Sequence, residues 1–127
     1  LGNGAPWPPD LSITKPEANV PANLIPFIGK WSGSSNSGMA VNMAIEKIYI
    51  SEFGLLKIQT VYAWDNKYVS AGWSRQTASW DETYLVFTLK ENSLKGAQIS
   101  CTIPKGDSLS CQWVYSGSGS ASFKREK

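Results

Sequence analysis

From residue 27 to the C-terminus, apolar and polar side chains alternate with a period of two in a series of short segments, the pattern of half-buried β-strands. Leu56, Ile58, Tyr62 and Trp64 share one face, with Lys57 and Gln59 on the other. Leu85, Phe87 and Leu89 oppose Tyr84, Val86 and Thr88 in the same way. The pattern predicts strands near 27–35, 39–50, 55–64, 67–76, 83–90, 95–103, 109–116 and 119–125. In the second of these, Met39, Val41, Met43 and Ile45 alternate, and the apolar phase then shifts to Ile48 and Ile50. A β-bulge near Glu46-Lys47 is the expected cause. The connections are short and rich in Gly, Asn, Asp and Ser, as in Asn36-Ser37-Gly38 and Pro104-Lys105-Gly106-Asp107, which suits tight turns.

Eight consecutive strands with short turns pair neighbour to neighbour, and closing the sheet removes its exposed edges. The expected fold is all-β: an eight-stranded antiparallel up-and-down barrel. A seven- or eight-stranded sandwich is the alternative. No convincing helix is expected after residue 27.

The first 26 residues read differently. They hold six of the seven prolines: Pro6, Pro8, Pro9, Pro16, Pro21 and Pro26. Proline fixes φ and removes a donor, so residues 1–26 are expected to form an extended proline-rich N-terminal arm, and residues 27–127 the barrel. Trp7, Leu11, Ile13, Leu24 and Ile25 give the arm side chains with which to lie across the barrel mouth or wall. A disordered leader is the competing expectation.

Composition narrows the chemistry. At 127 residues the chain is one domain with 42% hydrophobic residues. Twelve basic against ten acidic side chains leave a net charge of +2. The only basic cluster is Lys124-Arg125-Glu126-Lys127, so no nucleic-acid partner is expected. No apolar run approaches the ~18 residues of a membrane span. The absence of histidine rules out a Ser-His-Asp or Cys-His centre within the chain and removes the commonest metal ligand, so neither metal nor cofactor is expected. The acids Glu46, Glu52, Asp65, Asp81 and Glu82 form no pair suited to hydrolysis, since the adjacent Asp81 and Glu82 point apart on a strand. The chain is therefore not expected to be an enzyme.

Cys101 and Cys111 are placed symmetrically about the turn at 104–108. That register sets 101 opposite 111, Ile99 opposite Trp113 and Ala97 opposite Tyr115, all on one face. Opposed cysteines on adjacent antiparallel strands come within disulfide reach. A disulfide implies a secreted or periplasmic location. Two buried free thiols are the alternative.

The segment Gly29-Lys30-Trp31-Ser32-Gly33 resembles the opening of the calycin superfamily of lipocalin-like and avidin-like barrels. The resemblance implies that Trp31 closes the barrel base and that a basic side chain of the last strand, Lys124 or Arg125, covers its ring. Val61-Tyr62-Ala63-Trp64 and Ala71-Gly72-Trp73-Ser74-Arg75 are similar to a pattern in uncharacterised bacterial lipocalin-like domains.

Six tryptophans and five tyrosines exceed the packing needs of so small a chain. The expected function is binding of a small, largely apolar or aromatic ligand inside the barrel. Tyr62, Trp64, Trp73, Trp113 and Tyr115 are the expected lining. Arg75, on the face of Trp73, is either a polar anchor pointing inward or a surface arginine. Trp80 is expected in a turn, as a contact at the rim. The alternative function is a carbohydrate-binding or protein-interaction module that presents Trp64, Trp73 and Trp80 as a flat platform.

Overall fold

In a computed structural model, which describes residues 4–65, 70–81, 83–90 and 95–126, the chain closes into the expected barrel. Its strands are β1 (Gly29–Ser35), β2 (Ala40–Ile50), β3 (Leu56–Asp65), β4 (Gly72–Trp80), β5 (Tyr84–Thr88), β6 (Gln98–Thr102), β7 (Ser108–Val114) and β8 (Ser118–Arg125). Each pairs antiparallel with its neighbours in sequence, and β1 pairs with β8 to close the ring. The fourth strand begins at Gly72 and runs to Trp80, later than the expected 67–76; residues 67–69 lie outside the described set. Residues 82 and 91–94 lie outside it too.

Strand parity decides what faces inward. Trp31, Met43, Ile45, Ile58, Tyr62, Trp64, Leu85, Phe87, Ile99, Leu109 and Phe123 are buried in one cluster. Tyr62 tilts against Phe87 and meets Phe123 edge-on, with ring centroids 5.9 and 6.3 Å apart. These rings fill the middle of the barrel, as a small barrel requires. Gly33 allows β1 and β8 to close: a Cβ there would lie 1.8 Å from the Ser122 carbonyl oxygen.

The bulge falls where the phase shift placed it. The β2–β3 register slips between Ile45 and Lys47, leaving Glu46 without a partner across the ladder. Ile45 and Ile48 therefore both point inward while Glu46 lies on the outer wall. The bulge also releases the Glu46 carbonyl, which accepts from the Thr14 amide at 2.7 Å.

That bond belongs to a longer docking line. The Ala5 carbonyl accepts from Asn42 Nδ2 at 2.9 Å, and Glu17 Oε1 accepts from the Ile50 amide at 3.3 Å. The N-terminal segment thus runs beside β2 in the same direction. Beneath it, the outward-facing Asn42, Ala44, Val61 and Ala63 are fully buried. Their small side chains leave a channel for the chain to occupy. The segment does not stay extended: Ala22–Phe27 is a 3-10 helix, begun after Pro21. A threefold turn stacks Leu24 and Phe27 on one face, and both are buried in the barrel core. This turn plugs the end of the barrel at which β1 starts.

The disulfide Cys101–Cys111 is present, with the two residues directly paired across β6 and β7. Ile99 pairs with Trp113, in the predicted register.

Candidate functional site

The two barrel ends differ. The closed end is built around Trp31, whose Nε1 donates to the Phe27 carbonyl at 2.9 Å. Arg125 covers the ring, as the resemblance implied, and its guanidinium donates to the Ile28 and Pro26 carbonyls at 2.8 and 2.6 Å. Trp80 is the last residue of β4, not a turn residue, and packs edge-on against Phe27 at 5.8 Å. It is part of the plug and not of a rim.

At the opposite end a recess of about 140 Å³ opens between the strand ends. Tyr62 forms its floor. Met39, Leu89, Ala97 and Ile99 line it, with Trp113, Tyr115, Ser35 and Ser116 towards the rim. No charged side chain stands among the described lining residues. Burial pushes the Tyr62 phenol well above its ordinary ionisation range, so the floor is neutral at physiological pH. Ser35 Oγ is engaged with Ser37 Oγ at 2.8 Å and accepts from the Met39 amide at 3.0 Å, which fixes the β1–β2 turn beside the opening. Trp113 packs closely on Gly119: a Cβ at that glycine would come within 2.4 Å of the indole. Tyr115, 49% exposed, follows the end of β7 at the edge.

Of the six residues expected to form the site, Tyr62, Trp113 and Tyr115 meet at this recess. Trp64 faces inward and is fully buried, with Nε1 donating to the Ser70 carbonyl at 2.9 Å; it seals the wall without lining the recess. Trp73 and Arg75 lie elsewhere. Their register partners Ala63 and Val61 face outward, so both side chains lie on the outer wall. The physical reason is parity: residues 74, 76 and 78 are the buried, inward positions of β4. Arg75 is 5.4 Å from the Trp73 ring and joins an ionic cluster instead of a ligand. It donates to Glu46 at 2.8 and 3.0 Å and to Asp10 at 2.9 and 3.3 Å. Glu46 also accepts from Gln59 Nε2 at 3.0 Å. Arg75 therefore pins the N-terminal segment to the barrel. The same parity prevents Trp64 and Trp73 from sharing a flat platform.

Sequence reasoning missed Met39, Leu89, Ala97 and Ile99 as lining. A signal existed, because the predicted register set 97 and 99 opposite Tyr115 and Trp113. Among the described residues no group of His, Cys, Asp and Glu is arranged to hold a metal ion. No helix there is long and apolar enough to cross a membrane.

No family model matches the chain, and neither a curated protein nor a solved structure matches it. The closed eight-stranded antiparallel ring is compatible with a calycin-like fold.

Proposed function

We propose that this protein is a non-catalytic, lipocalin-like binder, secreted or periplasmic, that takes a small neutral ligand in the recess at its open end. The observation that supports this is the recess itself: an apolar, partly aromatic cup of about 140 Å³ above the buried apolar cluster of the barrel. A dry apolar cavity of about 150 Å³ is enough to hold benzene, so the fitting ligand is a single ring or the end of an apolar chain. A carboxylate finds no cation among the described lining residues and is disfavoured where no charge can balance it. The disulfide fits an oxidising compartment.

The test is a calorimetric or NMR titration with toluene, indole and phenol beside benzoate. Neutral rings are expected to bind and benzoate to bind at least about tenfold more weakly. Ala97→Leu fills the cup from a small inward side chain and is expected to abolish binding while leaving the melting midpoint nearly unchanged. Absence of binding by every neutral ring, or equal binding by Ala97→Leu, overturns the reading.

A further inference from the structure

Strand parity turns four small or medium polar side chains into the barrel: Ser35, Thr60, Ser74 and Gln76, all buried. Each has a partner within the protein. Ser35 Oγ accepts from the Met39 amide at 3.0 Å, and Thr60 Oγ1 donates to the Ile58 carbonyl at 3.3 Å. Ser74 Oγ donates to Gln76 Oε1 at 2.8 Å and accepts from the Lys90 amide at 2.9 Å. Gln76 Nε2 donates to the Thr60 carbonyl at 3.1 Å. This is what a polar group inside an apolar barrel requires.

Tyr62 departs from that rule. It stands on the same inward face of β3 as Thr60 and is 3% exposed. No described residue hydrogen-bonds to its phenol, and burial alone moves its ionisation. Among the described residues, Asn42 Oδ1 is the only buried side-chain polar atom that is both sealed from solvent and without a partner. The Tyr62 phenol oxygen has no partner either, so it is not sealed. The small surface it keeps opens into the recess that Tyr62 floors.

A ligand that fills the cup shuts this phenol off from solvent. It must then accept from the phenol O–H or leave a buried donor unpaired. Burial keeps the phenol protonated at neutral pH, so it remains a donor. A ligand hydroxyl would bring a donor of its own, and the apolar lining of Met39, Leu89, Ala97 and Ile99 offers no strong acceptor to receive it. A carbonyl oxygen brings acceptor sites only. It satisfies the phenol and leaves no donor of its own unpaired.

We propose that the recess, taken as the ligand site, is selective for neutral carbonyl compounds, an aryl or short alkyl ketone or aldehyde whose oxygen accepts from Tyr62 Oη at the floor. The ligand therefore enters oxygen first. Its apolar body lies among Met39, Leu89, Ile99 and Trp113 towards the rim. Tyr62 is thus a specificity-determining residue: a site that offers a hydrogen bond from an apolar cup discriminates against the isostere that cannot take it.

Calorimetric titration of the full chain with acetophenone and α-methylstyrene tests this. The two have the same shape and differ by a carbonyl in one and a methylidene group in the other. Tyr62→Phe is expected to lower the ratio of acetophenone affinity to α-methylstyrene affinity about tenfold. The carbonyl stretching band of bound acetophenone should lie at lower frequency in the intact protein than in Tyr62→Phe. The substitution removes an oxygen that has no protein partner, and a melting midpoint at or above that of the intact protein verifies the fold. An equal ratio in the two proteins, or an unshifted band, overturns the carbonyl selectivity and leaves the ligand site standing. Failure of both compounds to bind the intact protein overturns the ligand site itself, and the selectivity with it.

Discussion

The guanidinium of Arg125 lies 4.2 Å from the centroid of the Trp31 ring, joining the last strand to the first at the plugged end of the barrel. The contact does more than pair a cation with an indole. The same group holds the Pro26 and Ile28 carbonyls, which flank the end of the 3-10 plug. A lysine has neither the flat face nor the forked donors for this arrangement. Arg125→Lys should therefore destabilise the barrel by about 2 kcal/mol, from a weaker ring contact and a carbonyl left unpaired. Urea unfolding followed by tryptophan emission checks this. A midpoint equal to that of the intact protein would show that the plug does not depend on Arg125.

The N-terminal segment should respond to acid before the barrel does. The hydrogen bond from Arg75 holds the Asp10 carboxyl below its ordinary 3.8. Glu46 and then Asp10 hold the Arg75 guanidinium firmly charged. A carboxyl depressed in the folded state contributes stability above its unfolded value and loses that contribution as pH falls through the folded one. Loosening is thus expected as pH drops below about 4. Hydrogen exchange at the Thr14 amide, which bonds to the bulged Glu46 carbonyl, reads the loosening directly. Asp10→Asn should exchange faster at neutral pH and lose the acid step.

Alkali should act through the floor of the recess. Tyr62 is buried, and burial raises its phenol above the ordinary 10.0. The folded state therefore keeps a proton that the unfolded state releases above pH 10. Stability falls as pH rises from there, because the unfolded chain binds fewer protons. Tyr62→Phe should show a smaller loss of urea resistance between about pH 9 and pH 11 than the intact protein. Equal losses would show that burial of the Tyr62 phenol does not govern the alkaline response.

The walls of this protein could be read from its sequence, and the disposition of its outer face could not. Period-two alternation locates the strands other than the fourth, which runs 72–80 against the expected 67–76, because a barrel has one dry side and a slip of one residue would turn every side chain over. For the same reason the phase shift at Ile45–Ile48 reveals the bulge. The cysteine register was legible because a short turn fixes the pairing of its two strands. Trp73 and Arg75 were harder to place. Their strand starts at Gly72, and its inward positions are Ser74, Gln76 and Ala78, where polar residues obscure the usual apolar signal. Within the barrel these polar groups satisfy one another: Ser74 Oγ donates to Gln76 Oε1 at 2.8 Å, and Gln76 Nε2 to the Thr60 carbonyl at 3.1 Å. Ala44, Val61 and Ala63 are apolar on the outer side for a further reason, since the N-terminal segment covers them. With both faces of β3 buried, alternation no longer distinguishes inside from outside.

Gly119 should prove as important to the recess as any aromatic residue. It pairs with Trp113 across β7 and β8, and the indole lies directly over it. A methyl group at that position would stand 2.4 Å from one ring carbon and 2.5 Å from another, closer than packed atoms approach. The backbone there is held by its ladder to β7 and by the adjacent Ser120 amide, which donates to Asn36 Oδ1 at 3.2 Å, so the ring must yield. Gly119→Ala should therefore displace Trp113 and remove one wall of the cup. Overpacking of this kind costs roughly 1–3 kcal/mol, which a disulfide-linked barrel is expected to survive with its fold intact. The expected result is a shifted tryptophan emission and at least about tenfold weaker binding of a neutral ring, at nearly unchanged far-ultraviolet ellipticity. Trp113→Leu, which removes the ring without pressing on the strand, should weaken binding in the same direction. If both variants bind a neutral ring as well as the intact protein does, Trp113 is not part of the ligand's wall, and the site lies deeper, against Tyr62 and Ile99.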